Sequence, residues 1–237
     1  MKLIIPCAGK GTRLKPITLE TPKTLIKING KTVLESLIER FKSFNFEEII
    51  LIVNYMKEKI KSSMGESILG IPIRYVEQKE LKGIAHAILQ AEEFIKNDFM
   101  VVLGDEVYIG TNHEDMIAFH KENNSDAVCG IMHEENTDII KKNYIVEMEG
   151  KNVLKIVEKS EKINEKIMGV GTWIFNKSIF DFIKSTPPSK LRNEIEIADV
   201  LQRMIDGKKK VQAFVLNGKY VNLNYYNDLD ILSKILK

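Results

Sequence analysis

Residues 3–14 read Leu-Ile-Ile-Pro-Cys-Ala-Gly-Lys-Gly-Thr-Arg-Leu. A continuously apolar run that stops at glycine is the pattern of a buried strand feeding a loop. Leu3 to Cys7 is therefore read as a strand, and Ala8 to Leu14 as the loop it delivers. Ile49 to Val53, Ile71 to Val76 and Phe99 to Leu103 read as further strands, the last stopped by Gly104. Between them, Thr32 to Phe44 carries a helical stripe of Val33, Leu34, Leu37, Ile38 and Phe41, and Ala85 to Ile95 reads as a second helix.

Strands alternating with helices predict an α/β fold, with a mostly parallel, Rossmann-like central sheet covered by helices on both faces. The second half is less regular. Ala127 to Met132, Tyr144 to Met148, Val153 to Glu158, Gly171 to Phe175 and Val211 to Leu216 are strand candidates. Gly150 and Asn152 mark a hairpin turn that supplies a small antiparallel element. Ser178 to Ile183, Ile195 to Ile205 and Asp228 to Leu236 are helical. The expected organisation is one domain over residues 1–237, with a nucleotide-binding half to about residue 110 and an acceptor half after it. Ligands of such sheets bind at the carboxyl ends of the strands.

The 237 residues carry 35 Lys+Arg against 33 Asp+Glu, so a charge of +2 supplies no general field for nucleic acid or an anionic membrane. A hydrophobic share of 44% is too high for a disordered chain. The only cysteines, Cys7 and Cys129, do not make a disulfide scaffold, and Cys7 reads as core. No apolar run approaches the roughly 18 residues of a membrane span. The expected location is the cytosol.

Three phosphate-loop templates can be laid on Gly9-Lys10-Gly11-Thr12-Arg13-Leu14. The dinucleotide fingerprint fails because its third glycine would be Leu14. The P-loop fails because Gly30-Lys31-Thr32 would need a glycine at Leu25. What remains is a glycine loop whose backbone N–H groups can nest an anion, with Arg13 as a planar fork and Lys23 as a mobile charge.

Ala8-Gly9-Lys10-Gly11-Thr12-Arg13-Leu14-Lys15-Pro16, with Thr18 and Pro22-Lys23, resembles the signature of the sugar-phosphate nucleotidylyltransferases, also called NDP-sugar pyrophosphorylases. The likeness continues in the family's order. It runs through Glu77-Gln78, Lys82-Gly83-Ile84-Ala85-His86-Ala87, Leu103-Gly104-Asp105, Val157-Glu158-Lys159, Gly171-Thr172-Trp173 and Arg192-Asn193-Glu194-Ile195-Glu196. It thus covers nearly the whole chain, and resembles the glucose-1-phosphate thymidylyl- and uridylyltransferases in particular.

The resemblance implies a nucleotide-diphospho-sugar transferase fold. It also implies transfer of a nucleotidyl group from a nucleoside triphosphate to a sugar 1-phosphate, with Mg²⁺ as cofactor. By matching positions, Ala8, Gly9, Gly11 and Thr12 would cradle the triphosphate, Arg13 would hold the departing pyrophosphate and Lys23 would neutralise the phosphates. Gln78 and Gly83 would contact the base, with UTP or dTTP favoured because an amide can pair with an imide edge. Asp105 and Asn222 would hold the metal, Asn224 being the alternative to Asn222. Glu158, Lys159, Gly171 and Arg192 would bind the sugar phosphate. His86 would face the nucleotide or pack at a helix start. Relatives form dimers or tetramers, which leaves a homo-oligomer open, and the length implies no fused acyltransferase.

Glu106, Ser160 and the Asn143-Tyr144-Ile145 segment depart from the family pattern near the acceptor. They motivate a second reading, cytidylyl or other nucleotidyl transfer to a different phosphorylated small molecule such as phosphocholine. A non-catalytic nucleotide-sugar binding protein is the third.

Overall fold

The computed structural model describes residues 1–158, 166–190 and 192–236. The chain begins with β1 (Lys2–Pro6), the short hairpin strands β2 (Lys27–Ile28) and β3 (Lys31–Thr32), α1 (Val33–Arg40), β4 (Ile49–Val53) and α2 (Lys57–Met64). It continues through β5 (Ser67–Ile68), β6 (Ile71–Glu77), α3 (Ile84–Leu89), β7 (Phe99–Val102), β8 (Glu106–Ile109), α4 (His113–Asn123), β9 (Ala127–His133) and α5 (Thr137–Ile140). It closes with β10 (Tyr144–Glu149), β11 (Asn152–Glu158), β12 (Ile167–Phe175), α6 (Ile179–Ser185), α7 (Ile197–Asp206), β13 (Val211–Val215), β14 (Lys219–Asn222) and α8 (Tyr226–Ile235).

Ten strands form one sheet in the order β10-β11-β13-β9-β12-β7-β1-β4-β6-β5. The strands β7, β1, β4 and β6 are parallel, with Lys2 opposite Phe99 and Leu3 opposite Ile49. Strand β12 lies between β7 and β9, antiparallel to both, and carries the sheet into the second half. The β10–β11 hairpin turns at Gly150, whose φ of +60° suits glycine. A separate antiparallel pair, β8 with β14, sets Glu106 opposite Asn222.

Successive side chains of a strand point to opposite faces, so each strand feeds two cores. Ile4, Ile52 and Val101 pack with Ala85, Ile88, Ile183, Leu201 and Met204 from α3, α6 and α7. Leu3, Ile5, Leu51 and Met100 pack with Leu34, Leu37, Ile38, Ile60 and Met116 from α1, α2 and α4. The helices therefore cover both faces, as the alternating pattern predicts. Among the described residues no helix is long and apolar enough to cross a membrane.

The structure ends some elements earlier than periodicity suggests. Helix α1 stops at Arg40 because Phe41, Phe44 and Phe46 gather into a ring cluster, with centroids 5.2 Å apart for Phe41–Phe44 and 5.5 Å for Phe44–Phe46. Helix α3 stops at Leu89, and a 3₁₀ turn over Glu92–Phe94 follows. Helices α2 and α4 are absent from the periodicity reading because their apolar stripes are thin. In α4 only His113, Met116 and His120 are buried.

Helix α1 starts on a capping box. Glu35 N–H donates to Thr32 Oγ1 at 3.1 Å, and Thr32 N–H donates to Glu35 Oε2 at 2.7 Å. Thr32→Ala is expected to cost about 1 kcal/mol. It should appear as a lower urea midpoint with an unchanged slope.

Candidate active site

Strands β1 and β7 end side by side. Gly104 N–H donates to Pro6 O at 3.2 Å, and a Cβ at Gly104 would stand 2.7 Å from Cys7 Sγ. This close approach brings the loop after β1 and the carboxylate after β7 out on one edge of the sheet. Cys7 itself is core, as expected, and burial pushes its thiol pKa up.

The glycine loop is fixed from within. Gly11 has φ +61°, Thr18 Oγ1 donates to Gly11 O at 2.9 Å, and Leu14 N–H donates to the same oxygen at 3.0 Å. A Cβ on Gly11 would lie 2.9 Å from Thr18 Cγ2 and 3.1 Å from Lys23 Cβ, so only glycine lets Lys23 approach. On one side Ala8 and Gly9 line a cleft of about 340 Å³ together with Gln78, Gly83, Leu103 and Glu194. On the other, Gly11, Thr12, Arg13 and Lys23 line a cleft of about 200 Å³ with Asn224.

Beside the second cleft, which Lys23 lines, Lys23 Nζ donates to Asp105 Oδ2 in a partly buried ion pair. Leu223 N–H donates to Asp105 O at 2.9 Å, which brings Asn222 and Asn224 alongside Asp105. Asn222 turns its Nδ2 toward Glu106 Oε1 at 3.4 Å. Its Oδ1 is buried and accepts no hydrogen bond among the described residues. A carboxylate and an orphaned amide oxygen suit a hard divalent cation that takes its other ligands from phosphate and water. Among the described residues no three His, Cys, Asp or Glu side chains gather to hold a metal by themselves.

Glu106 is the residue sequence reasoning left outside the site. Its carboxylate is 1% exposed and accepts from Tyr108 Oη, from Tyr220 Oη at 2.8 Å and from Gly171 N–H at 3.1 Å. Burial, with the Asp105 charge beside it, pushes its pKa up to about 8. A Cβ on Gly171 would meet Glu106 Oε1 at 2.5 Å, so the glycine makes room for this carboxylate. The Tyr144 ring, by contrast, is core. It packs over Gly169, and its hydroxyl accepts from Trp173 Nε1 at 3.1 Å.

In the second half of the chain, Glu158 ends β11 opposite Tyr144. Burial first, then the charges of Glu196 and Asp199, push its pKa up to about 7, while Arg192 pulls the other way. Arg192 pairs with Glu196 at 3.3 Å. Lys159 and Ser160 lie outside the described residues. The segment after Arg192 is stitched to the loop that carries Lys82 and Gly83. Ile195 N–H donates to Lys82 O at 2.8 Å, and a Cβ on Gly83 would meet Ile195 O at 2.8 Å.

One more group escaped the sequence. Tyr225 presents its ring to both the Arg13 guanidinium, 5.4 Å from its centroid, and the Lys142 ammonium, at 5.1 Å. No local signal announces a contact across more than 200 positions of chain.

A nucleotide-binding α/β enzyme is the class this edge of the sheet defines, with a nested glycine loop, a cation and a carboxylate meeting at parallel strand ends. Residues 2–230 match the Nucleotidyl transferase family, and the chain belongs to it; it is an enzyme of the nucleotidyltransferase type. The UTP–glucose-1-phosphate uridylyltransferase AglF of Haloferax volcanii is 29% identical over 97% of this chain and 94% of its own length. The bifunctional protein GlmU of Methanococcus maripaludis is 34% identical over 98% of this chain, which spans only 53% of that relative's length. A crystal structure of UDP-glucose pyrophosphorylase complexed with UDP-glucose shares the fold, with a TM-score of 0.89 at 24% identity, over 99% of this chain and 97% of that one.

Gly11→Ala puts a side chain into a left-handed conformation and against Lys23. We expect a loss of about 1–2 kcal/mol in stability from the backbone alone, read by denaturant unfolding, together with reduced nucleotide affinity by calorimetry.

Proposed function

We propose that this chain transfers the nucleotidyl group of UTP or dTTP to a sugar 1-phosphate, releasing pyrophosphate, in the cytosol and with Mg²⁺. The observation that carries the reading is the Lys23–Asp105 pair: Asp105 stands two residues beyond Leu103, which lines the cleft of Gln78 and Gly83, and Lys23 lines the cleft of Gly11 and Arg13. A base in the first cleft and phosphates in the second would put the phosphorus under attack beside that pair.

The reaction needs no protein nucleophile. The acceptor phosphate oxygen forms a bond to the α-phosphorus, and the bond to the departing pyrophosphate breaks. The protein's work is alignment and charge neutralisation. Gly9 and Gly11 would offer backbone N–H groups to the phosphates, and Arg13 would grip the leaving pyrophosphate. Lys23 would give its charge to the substrate phosphates. Asp105 and Asn222 would hold Mg²⁺, which when bound would offset charge on the reacting phosphate. Glu158 would accept hydrogen bonds from acceptor hydroxyls, and Lys159 and Arg192 would take its phosphate. The packed Tyr144 ring removes one motive for a phosphocholine-type acceptor.

The reading is tested by a matrix of nucleoside triphosphates against sugar 1-phosphates and phosphocholine, with pyrophosphate detection. We expect release with UTP or dTTP plus a sugar 1-phosphate, arrested by EDTA and restored by Mg²⁺. Asp105→Asn should cost roughly 10²–10³ in kcat with an unchanged circular dichroism spectrum. No turnover in any cell of the matrix, or turnover with phosphocholine alone, would overturn it.

Glu158 carries a second test. With a pKa near 7 it is neutral below that pH and an acceptor-only carboxylate above it. The KM for the sugar 1-phosphate is expected to fall as pH rises through 7. In Glu158→Gln only the dependence due to the substrate's own phosphate should remain. Identical pH profiles would remove Glu158 from the acceptor site.

A further inference from the structure

His86 lies on α3, directly after the loop that carries Gly83. Its ring faces Gln78 rather than open cleft. Gln78 Nε2 lies 3.1 Å from Gly83 O and 3.1 Å from His86 Nδ1. A carbonyl oxygen only accepts, so the Gln78 atom at that corner is the amide nitrogen. That nitrogen has two hydrogens and uses one on each partner, so His86 Nδ1 must be the acceptor of the second. Gln78 is 3% exposed, and its backbone is pinned as well. Its N–H donates to Val53 O at 3.0 Å, and its carbonyl accepts from Asn54 Nδ2 at 2.7 Å. The amide therefore has one orientation, with Oε1 left as the atom it can offer to a ligand in the cleft it lines.

We propose that His86 is a positioning residue for base choice: its Nδ1, together with Gly83 O, locks the Gln78 amide with its oxygen toward the nucleotide, so that the site accepts uracil or thymine and rejects cytosine. The inference rests on the pyrimidine reading above and deepens it. The imide N3–H of uracil and thymine is a donor and meets Oε1. Cytosine presents a bare N3 acceptor there and needs a donor. A lone glutamine could meet either base by turning its amide over. Here that turn would set Oε1 against Gly83 O, two acceptors with no hydrogen between them, and against His86 Nδ1 as well while the ring keeps its proton on Nε2. The glycine carbonyl opposes the turned amide outright, and the Nε2–H tautomer of His86 adds to that bias against the rotation that would let the site read both bases.

The ring must be neutral at Nδ1 for this to work. Burial, helped by the Lys82 charge, lowers the His86 pKa, and the Glu80 charge and a hydrogen bond to the Glu80 backbone oppose the shift. The ring also neighbours the amides of Gln78 and Gln90, the latter donating to His86 O at 2.9 Å and lying 3.4 Å from Nε2. Below its pKa the ring becomes a donor at Nδ1 and favours the turned amide.

The test is the ratio of kcat/KM for UTP to that for CTP, with one sugar 1-phosphate, in the wild type, His86→Leu, His86→Ala and His86→Asn. A ratio is insensitive to a general loss of rate. Leu and Ala remove the acceptor and should lower the ratio about tenfold or more. Asn can return an oxygen near the Nδ1 position and should keep the ratio within about threefold of wild type. In the wild type the ratio should fall as pH is lowered while the NMR shift of the His86 ring reports its protonation, and in His86→Asn it should stay flat. Unchanged ratios in Leu and Ala, or a wild-type ratio that holds while the ring titrates, would overturn the role of His86 and leave the pyrimidine reading standing. A wild type that turns over purine nucleotides alone would overturn the pyrimidine reading itself.

Discussion

The whole site depends on how closely β1 and β7 approach at their carboxyl ends. Gly104 gives its N–H to Pro6 and leaves no room for a side chain against Cys7. Because nothing separates the strand ends, the loop that starts at Ala8 and the carboxylate of Asp105 emerge together. Lys23 can then reach Asp105 across 82 residues of chain. The apolar interior of β1, β4 and β7 holds those ends rigid from both faces of the sheet. Fully burying each Ile or Leu there contributes on the order of 1.5–3 kcal/mol, and the loop residues, which bury little, rely on that support.

Glu106 shows how the second half is fitted to the first. A buried carboxylate is costly unless its oxygens are satisfied. Here Tyr108, Tyr220, the Gly171 N–H and Asn222 all donate to it, from β8, β14 and β12. Those donors would be stranded by an apolar residue at 106. The same bonds fix the Asn222 amide, whose oxygen is left facing away from any partner among the described residues. The pattern reads as a rigid frame holding one unsatisfied atom in place.

Much of this was legible in the residues. Continuous apolar runs located β1, β4 and β7, because buried parallel strands cannot alternate in polarity. The motif order singled out Gly11, Arg13, Lys23, Gln78 and Asp105 as candidates, and the structure sets Gly11, Arg13 and Lys23 on one cleft and pairs Lys23 with Asp105. What escaped was set by tertiary contact. Helix α4 buries a histidine pair and one methionine, too little for a periodic signal. The early end of α1 is a matter of three phenylalanine rings finding one another. Glu106 looked like a departure from a family pattern. Apart from Tyr108, its partners come from residues 171, 220 and 222, which no local window contains.

The pairing of β14 with β8 also has a bearing on the order in which the molecule is made. A chain emerging N-terminus first can set β1, β4 and β6 together once residue 77 is out. The glycine loop then exists, but Leu223 has not yet closed on Asp105, and Tyr225 has not come beneath Arg13. The anion nest is thus among the first features synthesised and among the last completed. A nascent chain therefore presents an unfinished mouth to the nucleotide pool until residue 225 has been translated. Any ligand that spans the finished site ties the first strand to the last, so it should slow the opening of the entire sheet and not merely of the loop it touches.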